Sequence, residues 1–584
     1  QTIYYGSRRD GLFRSDDAGL TWRPIDLLPR ENTAINFVQF DPTTGGPDGS
    51  RVLYVGLSRA SDDGADVEAG IYRSTDGGTS FHKLFVPPRP EAFGTVDHQG
   101  NLFLHRGRLL RWTREQLQAG DFTPQDLTPP LAAGRTLYSV DIDPNDPNRL
   151  ITGTIDGGDP GGLFYSRDGG KTWRSWMNHR RTGQGEPFTV TGMQPYDPDF
   201  GWVFACMHQA TFDRADPRRA FFTGWYTIGA VDDLDAERVT IRQLYQGIEM
   251  TCIWDLICPP QGAPLISGLM DLGGFVHDRV DELPASYLRG MGPAYAPDAN
   301  PQDVNDLDFC EADPSVVVAT IGWRDSGDIG AAGYSTDGGK TWRQFPTLPF
   351  DGAKNGRIAI SATNPDRIVF VPRAPAKVYF THDRGKTWQE SKGGPADIVF
   401  GEFVYTFYMP LGSDRVDGSF YLYDRRDGRF FRSEDGAAFE PVSTLPRQSG
   451  IHTDRHVIKA MPHAAGHVFA ALNEEGLHRS TDGGRSWTKL DGVARAWALG
   501  FGRIDDSNRQ AVYIVGRLSD DNAVAPTRVA VYRSDDLGES WVRLNEPDAP
   551  GLAQCITLEG DQQTPGRIYI GENGRGIWRF DETK

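Results

Sequence analysis

The sequence predicts an all-β protein folded as two tandem β-propellers of about six to seven blades each. Three observations predict it. A short motif, Ser-x-Asp-x-Gly-x-Thr/Ser-Trp/Phe, recurs along the chain, each time after a short apolar run. Glycine and proline are abundant, 68 and 39 residues, and aromatics make up 11%, which suits many short strands joined by turns. The length of 584 residues exceeds what one ordinary core accommodates.

The motif is the Asp box of propeller proteins. It reads SDDAGLTW from Ser15, STDGGTSF from Ser74, SRDGGKTW from Ser166 and STDGGKTW from Ser335. It returns as THDRGKTW from Thr381, STDGGRSW from Ser480 and SDDLGESW from Ser534, with a degenerate SEDGAAF from Ser433. The expected unit is a hairpin. The apolar run is a strand, the Asp carboxylate accepts backbone N–H groups in the turn, and Gly supplies a positive φ. The aromatic opens the next strand and packs inward. These aspartates hold turns and are excluded as catalysts.

From Ser335 onward the boxes fall about every fifty residues, one four-stranded blade each. The longer gaps before Ser335 hold blades with decayed boxes, among them GNLFLHRGRLLRW from Gly100, GWVFACMHQ from Gly201 and GGFVHDRV from Gly273. The total is about twelve units, too many for the usual ring of about four to eight. One large propeller of about ten blades is the alternative. The expected boundary divides residues 1–246 from 247–584. The chain starts mid-blade and ends in strands without a following box, so the ends are expected to complete one another, with residues 551–584 available to close the N-terminal ring.

The formal net charge is −18, which disfavours nucleic acid and anionic membrane surfaces as partners. No apolar run reaches the roughly 18 residues of a membrane span. The five cysteines, Cys206, Cys252, Cys258, Cys310 and Cys555, form no CxxC pair or zinc-spaced cluster. Cys252 and Cys258 are compatible with a small disulfide loop and equally with buried thiols. No phosphate loop, GxSxG elbow, HExxH or EF-hand occurs; neither a cofactor nor a metal is expected. Gln1 opens strand-like sequence without Met, as a processed N-terminus would.

The chemistry is sought in Gly247 to Asp278, an apolar, Gly- and Pro-rich stretch with few ionisable groups. Asp271 stands between Met270 and the turn-prone LGGF run. Shielded by such neighbours, a carboxylate rises in pKa and suits proton donation. His277 follows closely and is a candidate for lining the site. Asp255, in WDL, is read as capping local backbone. Trp225, Trp254 and Trp323 lie outside Asp boxes and are candidate sugar platforms, because axial C–H faces of sugars stack on exposed aromatics. Core packing is the competing role for each.

The stretch reads GIEMTCIWDLICPP, QGAPLISG and MDLGGFVH in order. It resembles the xyloglucanases of glycoside hydrolase family 74, which have two tandem seven-bladed propellers. Family motifs run G-[IL]-E-E-T-x-V-x-D-L-I-S-P-P, G-A-P-L-x-S and G-D-x-x-G-F-x-H. The resemblance extends to DLDFCEADPSVVVATIG from Asp306 and to GRIYIGENGRGIWRFD from Gly566. It implies a secreted (extracellular or periplasmic), monomeric glycosidase that cleaves the β-1,4-glucan backbone of xyloglucan with inversion. It places the general acid at Asp271. Inversion requires a second carboxylate about 6.5–9.5 Å away to activate water.

The sequence departs from the family at that second carboxylate. The matching stretch is GSRRDGLFR, and Arg8 falls on the base position. Asp10, two residues on, faces the same side if the segment stays extended, and is the candidate base. Met270 replaces a family glycine. Arg8 also suggests an acidic glycan as substrate, for a hydrolase or a lyase. A non-catalytic propeller that binds glycan or protein is the third reading. FVPPRP from Phe85 is not the early sialidase motif.

Overall fold

Each Asp box folds as a local hairpin whose polar groups are satisfied within a few residues. At the copy from Ser335, the Thr341 N–H and hydroxyl donate to Asp337 at 2.8 and 2.6 Å, and the Ser335 hydroxyl donates to the same carboxylate at 2.8 Å. The Gly339 N–H returns to Ser335 Oγ at 2.9 Å, with Gly339 at φ +88°. Equivalent bonds recur at Asp17, Asp76, Asp168, Asp383, Asp482 and Asp536. The hydroxyls of Thr21, Thr172 and Ser540 in particular hold Asp17, Asp168 and Asp536 down at about 2. These carboxylates stay ionised and cannot serve as acids near neutral pH.

The computed structural model describes residues 2–46, 49–61, 67–130, 136–155, 162–177, 186–191, 207, 209–224, 228–244, 251–270, 273–284, 286–288, 303–322, 330–353, 355–373, 377–395, 398, 410–447, 457–521, 529–546, 552 and 555–582. The protein is all-β. Among the described residues one short α-helix occurs, Arg114–Ala119, closed by a capping box at Thr113 and Gln116. The chain divides into two compact units, Gln1–Ile248 and Glu249–Lys584.

Among its described residues the first unit carries five successive sheets and a two-stranded ribbon, Gly45–Gly46 with Gly49–Ser50. A three-stranded sheet begins at Ile3–Gly6. Antiparallel four-stranded sheets begin at Thr33–Phe40, Phe93–Val96 and Thr136–Asp143. The fifth sheet has five strands, because Phe188–Thr191 adds in parallel to Val239–Gln243. Among its described residues the second unit carries seven sheets, beginning at Cys252–Ile257, Val304–Cys310, Arg357–Ile360, Leu411–Ser413, Ile458–Ala460, Val493–Arg503 and Cys555–Gly560. Each packs against the next, and the last packs against the first, Cys555–Gly560 beside Cys252–Ile257.

Stacking of sheet on sheet explains why the middle strands lack apolar–polar alternation. Phe420–Tyr423 and Val468–Ala471 are buried at every residue, since both faces meet neighbours. Box aromatics join these interfaces. Trp388 donates to Thr347 O, Trp487 to Ser443 Oγ and Trp173 to Leu127 O, each on the sheet before its own. Trp22 belongs to the first sheet, with none before it in the chain. It remains 43% exposed and leans on Tyr5 instead, so the inward packing expected of every box aromatic does not hold there.

The termini do not share a sheet. The strands from Ile3 and those from Cys555 belong to separate sheets in different units. Residues 555–582 therefore complete the second unit rather than the first. Their attachment is direct: Cys252 bridges Asn573, and Gln563 donates to Pro259 O at 2.9 Å. Cys252, Cys258, Cys310 and Cys555 are free thiols; Cys206 lies outside the described residues.

Candidate active site

The central stretch folds as a meander. Cys252–Ile257, Leu265–Met270 and Gly273–His277 pair antiparallel, with Cys252 opposite Met270 and Leu269 opposite Gly273. All of Leu265–Met270 is buried. Asp271 and Leu272 join two of these strands and lie outside the described residues. Their flanks are fixed. Met270 is 3% exposed, and Gly273 sits at φ +82° and bridges Asp303 on the next sheet. At Gly268 a Cβ would come within 2.9 Å of Val304 O, so the adjoining sheet approaches too closely for any larger residue.

His277 is half-buried and shares a hydrogen bond of 2.9 Å between Nε2 and Ser267 Oγ. Burial pushes its pKa down to about 4, so the imidazole is neutral at neutral pH. Trp254 is fully buried and is no sugar platform. It occupies a β-bulge between Ile253 and Asp255, which turns the bulged side chain away from the regular register. Trp225 and Trp323 lie outside the described residues.

Arg8 and Asp10 are exposed. The strand Ile3–Gly6 ends before them, and Ser7 N–H donates to Gly11 O at 2.9 Å to close a tight turn. The extended segment expected to align Asp10 with position 8 is absent, because the Arg9 and Asp10 N–H groups fold back onto Ser7 Oγ at 3.2 and 3.0 Å. Asp10 instead accepts the Ser7 hydroxyl at 3.0 Å.

A second group of ionisable residues was not anticipated. The second unit holds a cavity of about 120 Å³ lined by Asp255, Asp306, Asp308, Arg415, Lys459 and Glu559, among others. The carboxylates tie sheet to sheet. Asp255 accepts Leu307 N–H at 2.7 Å, Asp306 accepts Ile358 N–H at 2.7 Å and Asp308 accepts Ile360 N–H at 2.9 Å, each 52 residues on. Arg357 pairs with Asp306 at 2.7 Å, Arg415 with Asp308 at 2.7 Å, and Lys459 with Glu559. Burial, then the neighbouring Asp306, pushes Asp255 well up, and burial raises Asp306 to about 6. Such paired, backbone-bonded carboxylates hold structure. Asp255 thus caps backbone, although its partner includes a strand of the next sheet.

Comparison with known proteins places these features. The BNR/Asp-box repeat model matches residues 164–175 and 334–344. A xyloglucanase of a Paenibacillus species is 30% identical over 99% of this chain. The structure of a GH74 xyloglucanase from Xanthomonas campestris superposes with a TM-score of 0.78 and 27% identity, covering all of this chain and 81% of that one. The chain is similar to the xyloglucanases of glycoside hydrolase family 74. A xyloglucanase of Acetivibrio thermocellus is 29% identical over 98% of this chain and 69% of its own length. A GH74 enzyme from Niastella koreensis, at 23% identity and a TM-score of 0.75, shares the fold. The chain spans 58% of the length of the Paenibacillus relative.

Proposed function

We propose that this chain is a secreted, monomeric glycoside hydrolase that cleaves the β-1,4-glucan backbone of xyloglucan, or of a related branched polysaccharide, with inversion. The observation that carries the reading is the likeness, along 99% of the chain, to a protein named a xyloglucanase. Each unit is read as a β-propeller. The support in the second unit is its seven sheets, the last packed on the first.

Asp271 is the general acid in this reading. It protonates the leaving glycosidic oxygen as the bond to the anomeric carbon breaks. A second carboxylate takes a proton from water, which attacks that carbon from the opposite face. Asp10 is the proposed base, supported by its exposure. Arg8, His277, Trp225 and Trp323 are the proposed substrate contacts.

The test is hydrolysis of xyloglucan by the parent and by Asp271→Asn and Asp10→Asn. Each substitution is expected to lower turnover about 10²–10⁴-fold with little change in substrate binding. Proton NMR of the first product should show the α-anomer released from the β-linkage. Undiminished turnover in Asp271→Asn would remove that residue from the acid role.

A further inference from the structure

We propose that the first unit carries a subsite for a carboxylate-bearing sugar, built on Arg106, with Arg8 and Arg9 adding positive charge from an equivalent turn. The proposal rests on the reading of the chain as glycan-active and adds an anionic preference to it.

The three arginines occupy equivalent places. Arg8 and Arg9 follow the strand Ile3–Gly6, and Arg106 follows Leu102–His105. Arg8 and Arg9 stand between the first two strands of a three-stranded sheet and Arg106 between the second and third strands of a four-stranded one, so each turn leads antiparallel into the next-to-last strand of its sheet. Arg106 adopts φ +108°, a conformation that costs any residue but glycine. A side chain kept there at such a cost points to a use for it.

Its surroundings resemble a sugar site. The guanidinium lies 5.4 Å over the Phe93 ring, and Phe93 meets Tyr138 edge-on at 5.7 Å. Phe93 and Tyr138 are both half-buried, leaving aromatic surface for a sugar face. Arg106 is not neutralised by a carboxylate among the described residues. Its Nη1 donates to the backbone carbonyl of Glu91 at 3.3 Å, while the Glu91 carboxylate is taken by Arg89 at 3.8 Å. No described carboxylate pairs with Arg8 or Arg9 either, and Asp10 turns to Ser7. In a chain of net charge −18, guanidinium groups without a carboxylate partner, exposed at Arg8 and Arg9 and half-buried at Arg106, suit a planar carboxylate ligand, which they bind bidentately.

Calorimetry with tetragalacturonate and with a neutral xyloglucan oligosaccharide tests this. The parent should bind the uronate, and the affinity should fall as salt rises. Arg106→Gly relieves the positive φ, so it should fold at least as stably as the parent yet bind the uronate about tenfold more weakly. Arg106→Lys should retain part of the affinity. Equal uronate binding by Arg106→Gly and the parent, or no salt dependence, would overturn the subsite. Failure to hydrolyse xyloglucan with uronate binding intact would instead count against the proposed function alone.

Discussion

Asp255 shows how one buried side chain sets a pH dependence. Its pKa is raised by burial first and by Asp306 second, while in the unfolded chain it is ordinary, about 3.9. The folded state therefore holds its proton to higher pH. The stability this confers is fully present below the unfolded pKa and is lost as pH rises through the folded one. Asp306, raised to about 6, acts in the same direction between about pH 4 and 6. The melting temperature of the second unit should fall from pH 5 toward pH 8. In Asp255→Asn the amide nitrogen faces one of the two N–H groups that Asp255 accepts, from Leu256 and Leu307. The variant should melt below the parent at pH 5, by about 0.5–1.5 kcal/mol, and the gap should narrow by pH 8. A gap that does not change with pH would show that Asp255 keeps an ordinary pKa. The sequence marked Asp255 as a backbone cap but gave no sign that its partner stands on another sheet. Trp254 was misjudged as a possible platform because its bulge is a tertiary feature.

At the scale of elements, the Asp-box hairpins were legible because their partners are at most four residues apart. Asp337, Thr341, Ser335 and Gly339 satisfy one another without help from the rest of the fold. Asp337→Ala should cost about 1 kcal/mol, read as a lower urea midpoint, while the turnover of folded protein on xyloglucan stays unchanged. A loss of turnover out of proportion to stability would give that aspartate a chemical role. The degenerate copy keeps part of the bonding: Gly436 N–H reaches Ser433 Oγ at 2.9 Å, and Ala437 N–H reaches Asp435. Bulges were less visible. They recur in the first strands of six sheets, at Asn36, Tyr138, Trp254, Asn305, Trp497 and Ile556. No common residue type marks them, since a bulge answers to the neighbouring sheet: Asn36 donates to Pro90 O and Trp497 to Cys555 O.

At the scale of the molecule, the second unit depends on contacts across its whole length. Gln563 reaches Pro259 O, 304 residues away, and Cys252 Sγ donates to Asn573, 321 residues away. A fragment of residues 249–584 should fold alone and unfold cooperatively in circular dichroism. The same fragment ending at 546 loses the last sheet and exposes the edge of Cys252–Ile257; it should fail to melt cooperatively or should aggregate. A cooperative transition in the shorter fragment would show that the seventh sheet is dispensable.

The sequence by itself determined the all-β class, the hairpin repeat and the family likeness, and it alone carries the proposal of Asp271. Each of these is written in residues close together in the chain or in an ordered series of motifs. The tertiary structure alone decided that the C-terminal strands complete the second unit, that Trp254 is core, that Asp10 sits in a closed turn, and that buried carboxylates join neighbouring sheets. Apart from the local turn at Asp10, those outcomes depend on backbone partners 52 to more than 300 residues away, the Leu307 N–H for Asp255 and the Pro259 carbonyl for Gln563, and no local pattern encodes which distant group a side chain will meet.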